Sequence, residues 1–252
     1  MKTYLIDLDG TMYHGKKIIP SAKRFIDWCL ANGQPFLFLT NNSSRTQQQA
    51  ADHMLNIGYE GIKPEMFYTS AMAAAHIAKM MNKGNRAYYI GEAGMQEALF
   101  NEGFVIDDKK PDFVFIGLQK NASYQDYSKA VQFILNGAIL AGTNNDRILL
   151  TENGPHVGNG SVVAMFEYCT QKPSLKIGKP HQPILDGVLD YGQLSKDEVV
   201  ILGDNLETDI LCGINGKVET IFVTTGVHQR EDIERLNIHP DRIIDDLMEL
   251  VK

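Results

Sequence analysis

Thr3-Tyr4-Leu5-Ile6-Asp7-Leu8-Asp9-Gly10-Thr11 joins a short apolar run to two carboxylates and an Asp-Gly turn. Such a run, ended by a turn, predicts a strand buried in a parallel sheet with a helix to follow. Pro20 and Ser21 offer the helix start, with Ser21 as its cap; residues 25–30 supply the apolar face, and Asn32-Gly33 marks the end. The unit then repeats. Residues 35–39 read as a second buried strand running into Thr40-Asn41-Asn42, and Ser43 or Ser44 as the cap of a helix reaching about Ile57. Phe67-Tyr68 reads as a third strand, and residues 71–81 as an alanine-rich helix.

The middle of the chain starts the pattern afresh, with strands expected at 87–90, 113–117 and 138–141 and helices at 95–101 and 124–135. Beyond the glycines around Gly158-Asn159-Gly160, the spacing of Val162, Val163, Phe166 and Cys169 predicts a helix over 161–169. The first pattern then resumes: a strand at 199–202 ending in Gly203-Asp204, a helix from Thr208 to about Ile214, and a strand at 220–223 leading to Thr224-Thr225-Gly226. Alternating strands and helices predict an α/β fold, a doubly wound parallel sheet whose ligands bind beyond the carboxyl ends of the strands. No Pro/Gly/Ser linker marks a tandem boundary, so an insertion is the expected arrangement: a core of residues 1–83 and 175–252, interrupted by an α/β domain at 84–174.

Composition excludes several function classes. Hydrophobic residues make up 44% and charged residues 22% of the 252, the balance of an ordinary soluble folded protein. A formal net charge of −7 repels nucleic-acid backbones and anionic membranes, so neither is an expected partner. Cys29, Cys169 and Cys212 are odd in number and far apart, which suits buried thiols in a reducing compartment. Asp7 and Asp9 break the first apolar stretch, so it is no signal peptide, and no other run could span a bilayer; the cytoplasm is the expected location.

The chemistry gathers at the predicted strand ends. Asp7 and Asp9 are two residues apart, so extended backbone would aim both carboxylates into one crevice. A carboxylate can attack phosphorus and form an acyl phosphate, which makes Asp7 the candidate nucleophile. Its neighbour, kept neutral by the like charge, can protonate the leaving oxygen; Asp9 suits that acid/base role. Gly10 lets the chain turn sharply and direct the Asp9 carbonyl at a metal. Taken alone, Asp-x-Asp-Gly-Thr is equally an ordinary turn. Thr40, Asn41 and Asn42 offer a hydroxyl, amides and N–H groups for a phosphoryl oxygen, although Asn42 and Ser43 suit a helix cap as well. Lys179, held between Gly178 and Pro180, can neutralise a transferring phosphoryl group. Asp204 supplies the hard oxygen that Mg²⁺ prefers, and Asp209 either orients it from behind or is simply a charge at a helix N-terminus.

Asp7-Leu8-Asp9-Gly10-Thr11, Thr40-Asn41, Gly178-Lys179-Pro180 and Gly203-Asp204 with Asp209, in that order, resemble the haloacid dehalogenase-like (HAD) superfamily. More narrowly, Thr40-Asn41-Asn42, Thr143-Asn144-Asn145-Asp146, Gly158-Asn159-Gly160 and residues 203–209 resemble its NagD-type, nitrophenylphosphatase-like branch. The resemblance implies a Rossmann-like core with a large α/β cap inserted between the second and third motifs. It implies a Mg²⁺-dependent phosphatase acting on small-molecule phosphate monoesters, nucleotide or sugar phosphates, through an aspartyl-phosphate. Implied roles are Asp7 as nucleophile and Mg²⁺ ligand, Asp9 as acid/base and backbone ligand, Thr40, Asn41 or Asn42 with Lys179 as phosphate clamps, and Asp204 as metal ligand. Asp209 and Asn205 would stand behind the ligands; Asn205 occupies a position where many relatives carry Arg. The cap would shape the leaving-group pocket, with Asn144, Asn145, Asp146 and His156 as candidate contacts, and would offer a surface on which a homodimer could form. Two rivals remain: a phosphotransferase or mutase using the same aspartyl-phosphate, and a phosphoreceiver-type signalling module, which the order of the motifs disfavours.

Overall fold

The computed structural model describes residues 2–151 and 154–251. Its sheet strands, in chain order, are β1 (Thr3–Ile6), β2 (Phe36–Thr40), β3 (Phe67–Thr69), β4 (Arg86–Ile90), β5 (Val105–Ile106), β6 (Phe113–Ile116), β7 (Ile139–Gly142), β8 (Leu175–Lys176), β9 (Val199–Gly203), β10 (Glu219–Val223) and β11 (Arg242–Ile244). The α-helices are α1 (Pro20–Asn32), α2 (Gln47–Asn56), α3 (Ser70–Met80), α4 (Ala93–Asn101), α5 (Tyr124–Leu135), α6 (Asn159–Thr170), α7 (Gln182–Gly192), α8 (Leu211–Gly216) and α9 (Arg230–Leu236). Two antiparallel hairpins, Tyr13–His14 with Lys17–Ile18 and Ile148–Thr151 with Gly154–Val157, stand outside the main sheets.

Two compact units result, one of Met1–Thr40, Gln47–Tyr68 and Lys179–Lys252, the other of Asn41–Thr46 and Thr69–Gly178. In the first, a six-stranded sheet runs in the order β11-β10-β9-β1-β2-β3. β1 lies near its centre, parallel to both neighbours, with Leu5 opposite Ile201 on one side and Leu37 on the other. A strand flanked on both edges and covered on both faces must be apolar, which is why residues 3–6 carry no charge. The core includes Ile6, Phe25, Phe38, Phe67, Leu202 and Val223. Helix α1 contributes Ala22, Phe25, Ile26 and Cys29, the i, i+3, i+4, i+7 stripe of an amphipathic helix.

In the second unit a five-stranded sheet runs β8-β7-β6-β4-β5. Its core joins Ile90, Val114 and Ile116 from the strands to Ile134 and Phe166 from α5 and α6. Ser123 and Asp126 close a reciprocal capping box at the start of α5. This unit contains residues 84–174 and also takes in residues 41–46, 69–83 and 175–178, α3 and β8 among them.

Local differences from the sequence expectations have physical causes. Ser21 does not cap α1: Ile19 is the N-cap, Pro20 opens the helix with its pre-set φ, and Ser21 is buried inside the first turn. Neither Ser43 nor Ser44 caps α2, which starts only at Gln47. Instead the Asn42 Oδ1 accepts from the Ser44 N–H and Oγ–H, each at 2.9 Å, and from the Arg45 N–H at 3.4 Å, an Asx turn that delays the helix. The segment from Thr208 is not a plain helix; Leu206–Ile210 form a π-helical turn before α8. Helix α7 was not anticipated, although Pro183 in its first turn and buried Ile184, Leu185, Val188 and Leu189 carry the signal. Among the described residues no helix is long and apolar enough to cross a membrane.

Candidate active site

Asp7 is the first residue past β1, and its N–H still donates to the Leu202 carbonyl at 2.9 Å. There the strand ends. The Leu8 carbonyl accepts from Thr11 at 3.2 Å and from Met12 at 2.7 Å, and Gly10, at φ 94°, closes the turn by donating to the Tyr13 carbonyl at 2.8 Å. A side chain at Gly10 would be both strained by that φ and blocked, since its Cβ would lie 2.3 Å from the Asp204 Oδ2. The turn therefore packs backbone directly against a carboxylate of the neighbouring strand. It also delivers Thr11, fully buried, whose Oγ1 donates to Asp204 Oδ1 at 2.7 Å.

Asp204 follows β9 in the same way and is fully buried. Its Oδ2 accepts the Val227 N–H at 2.7 Å, so each oxygen already has one donor. Asp209 comes back to the same place by way of the π-helical turn. Asn205 begins that turn, its Oδ1 accepting from Glu207 N–H at 2.9 Å and Thr208 N–H at 3.2 Å, while its own N–H donates to Asp209 Oδ2 at 3.1 Å. Gly203 makes room, because a Cβ there would meet the Asp209 carboxyl carbon at 2.4 Å. Carboxylate oxygens of Asp7, Asp204 and Asp209 lie within 4.8 Å of one another.

Lys179 enters this acid group from the segment after β8. Its ammonium, 2% exposed, donates to Asp7 Oδ1 at 2.5 Å and to the Leu39 carbonyl at 2.7 Å, and stands 2.7 Å from Asp209 Oδ1. Three carboxylates against one ammonium leave two negative charges uncompensated in a desolvated place. The titration equilibria express this imbalance. Burial, then the charge of Asp209, holds Asp7 well above the usual carboxylate range, with Lys179 pulling the other way. Asp204 is pushed up to about 7, by burial first and Asp209 second, against the hydrogen bonds from Val227 and Thr11. Burial pulls Lys179 down, but Asp209 and Asp7 push it up further, so it stays an ammonium.

A divalent cation fits this donor set. The ligand atoms are hard carboxylate oxygens, and the uncompensated charge equals that of one such ion. Asp7, Asp204 and Asp209 would hold it. Asp209, expected to stand behind the ligands, is one of the three acids; its Oδ1 lies 2.7 Å from the Lys179 ammonium and its Oδ2 accepts the Asn205 N–H.

The remaining expected residues are placed differently. Asp9 is exposed and its side chain is not part of the group of three acids; its backbone forms an isolated bridge with Tyr13. Thr40 is buried at the end of β2. Asn41 and Asn42 belong to the other unit. There the Asn41 Nδ2 donates to Asp146 Oδ1 at 3.1 Å, and its carbonyl accepts from Ser70 Oγ at 2.6 Å and Asn144 Nδ2 at 2.8 Å. Asn42 forms the Asx turn described above and does not cap α2, which starts at Gln47. His156 sits exposed on the second hairpin. Two contributors escaped the sequence reading: Thr11, whose place in the first motif was its only signal, and the Thr225–Val227 backbone, read only as the end of a strand.

A model of haloacid dehalogenase-like hydrolases matches residues 4–105, and a HAD-hydrolase-like model matches residues 176–250. The 5′-nucleotidase YutF of Bacillus subtilis is 36% identical over 250 residues, which cover 99% of this chain and 97% of that protein. The chain belongs to the haloacid dehalogenase-like hydrolases. Within them, it is 38% identical over 251 residues to the acid sugar phosphatase of Staphylococcus aureus, with 99% and 96% of the two chains covered. Among solved structures, NagD from E. coli K-12 superimposes with a TM-score of 0.90 at 33% identity, covering 99% of this chain and 98% of that one.

Proposed function

We propose that the chain is a Mg²⁺-dependent phosphatase that hydrolyses small-molecule phosphate monoesters through an aspartyl-phosphate on Asp7. One observation carries the proposal: Lys179 is buried between Asp7 and Asp209, beside Asp204, with negative charge left over. Such a centre attracts a cation and, with it, an anionic substrate. Mg²⁺, when bound, supplies positive charge that keeps Asp7 ionised and offsets the charge of the phosphoryl oxygens.

The chain's own groups do the rest. An Asp7 oxygen attacks phosphorus and the bond to the ester oxygen breaks, while Asp9 gives that oxygen a proton. In the second half Asp9 takes a proton from water, the water oxygen attacks phosphorus, and the Asp7–phosphorus bond breaks to release inorganic phosphate. Exposure of Asp9 suits a group that exchanges protons with both substrate and water. Lys179 and Thr40 hold the phosphoryl oxygens; Asn205 and Thr11 fix the acids. Nucleotide and sugar phosphates are the proposed substrates, as in the relatives named a nucleotidase and an acid sugar phosphatase. We assign the choice among them to the interrupting segment 84–174, and the place of action to the cytoplasm. With a net charge of −7, nucleic acids and membranes are not proposed as partners.

Turnover of p-nitrophenyl phosphate should stop with EDTA and return with Mg²⁺; full-rate turnover without metal would remove the acid group from its role. Label from a phosphorylated substrate should appear as inorganic phosphate, whereas a new phosphate ester would make the enzyme a mutase. Ranking phosphorylated metabolites by kcat/KM then identifies the leaving group.

A further inference from the structure

The segment after β10 touches both acid-bearing loops. Thr225 Oγ1 donates to the Gly10 carbonyl at 2.8 Å, on the turn that follows Asp7. Gly226 lies so close to Asp204 that a Cβ would sit 2.0 Å from its Oδ2, so only glycine lets the backbone pass. Val227 N–H donates to that same Oδ2 at 2.7 Å, and His228 N–H to the Asp204 carbonyl at 3.3 Å. The His228 ring, 7% exposed, completes the set: its Nδ1 accepts the Leu206 N–H at 3.1 Å. Leu206 opens the π-helical turn that carries Asp209. A backbone N–H can only donate, so Nδ1 is the bare nitrogen of the ring and the imidazole proton sits on Nε2, facing Glu207 Oε2 at 3.7 Å. Immediately behind, Gln229 and Asp232 form a reciprocal capping box at the start of α9, which anchors the segment.

We propose that Thr225–His228 is a positioning clamp for the cation site, with His228 as the residue that fixes the Asp204–Asp209 spacing. The inference rests on the metal-dependent phosphatase reading. Asp204 and Asp209 are joined by a π-helical turn, an uncommon conformation whose first N–H would otherwise be buried without an acceptor. His228 supplies that acceptor, and its neighbour Val227 holds the carboxylate at the other end. Loss of such support behind metal ligands typically weakens metal binding about 10- to 100-fold.

The test is calorimetric titration of the full chain with Mg²⁺ alone, alongside circular dichroism and metal-free melting. His228→Leu, which fills the space without an acceptor, should remain folded and bind Mg²⁺ at least about tenfold more weakly. His228→Asn, whose Oδ1 can take the place of Nδ1, should bind close to wild type. Thr225→Val, which keeps the ring and releases the Gly10 carbonyl, should lose affinity to a smaller extent. A folded His228→Leu with unchanged Mg²⁺ affinity and only a lower melting temperature would reduce His228 to a structural residue and overturn the proposal. If that variant does not fold, His228→Asn no better than Thr225→Val overturns it instead. Wild-type chain that takes up no Mg²⁺ would bring down the phosphatase reading and the clamp together, an outcome distinct from either.

Discussion

Two sheets of the same kind end very differently. In the first unit the strands β1 and β9 run out into Asp7 and Asp204, with Thr40 at the end of β2. In the second, β4, β6 and β7 run out into Gly91, Gly117 and Thr143. There the polar groups satisfy one another: the Gly91 N–H donates to Gln119 Oε1 at 3.0 Å, and Thr143 Oγ1 accepts from Asn159 Nδ2 at 3.0 Å. Among the described residues the one group of three acids suited to a metal lies in the first unit. Parallel architecture provides the shelf at the strand ends in both cases; the residues placed on it decide whether chemistry follows.

The sharpest way to break that contrast is to remove its nucleophile. Asp7→Asn should lower kcat/KM for an aryl phosphate by about 10⁴-fold or more while the far-ultraviolet circular dichroism stays that of wild type. Normal turnover, once deamidation back to Asp is excluded by mass spectrometry, would end the mechanism. Lys179→Met comes next. It strips the buried carboxylates of their counter-charge, so the metal-free chain should lose about 3–5 kcal/mol in a denaturant titration, and turnover should fall with it. Retained stability would mean that the acids hold protons in place of the ammonium.

pH offers a gentler probe. Asp204 binds its proton more tightly folded, at about 7, than at the ordinary 3.8, so the folded state gains from that proton below 3.8 and loses the gain as pH rises through 7. Metal-free protein should therefore lose stability from pH 4 to about pH 7, by up to about 1.4 kcal/mol per pH unit from Asp204 alone, with Asp7 adding to the slope. Saturating Mg²⁺ should flatten the slope, since the ion replaces the proton. A metal-free melting curve that rises over this interval would contradict the charge imbalance. Smallest of all, Gln119→Ala at the strand ends of the second unit should cost about 1 kcal/mol and leave turnover of the aryl phosphate essentially unchanged. A large loss would show that the second shelf is chemically active after all.

Much of this was legible in the sequence because parallel-sheet strands are conspicuous. Residues 3–6 and 199–203 are apolar and end abruptly in acid, so the fold class and the places of Asp7 and Asp204 follow from pattern alone. Asp209 was harder. Its part depends on a π-helical turn and on Gly203 lacking a Cβ, neither of which spacing reveals. Thr225–His228 reads as a loop because its contribution is mostly backbone N–H, and every residue type but proline carries one. Asp9 is the reverse case: its place in the first motif is plain in the sequence, while its exposed side chain stands apart from the three buried or half-buried acids.

The packing of Gly10 and Gly226 against Asp204 also bears on how far the enzyme can be retuned. Side-chain length at 204 is set by two stretches of main chain closing on it from opposite loops, not by the radius of whichever ion it meets. An engineer seeking a preference for a larger cation gains nothing by lengthening this aspartate to glutamate, because the added methylene would drive both loops apart.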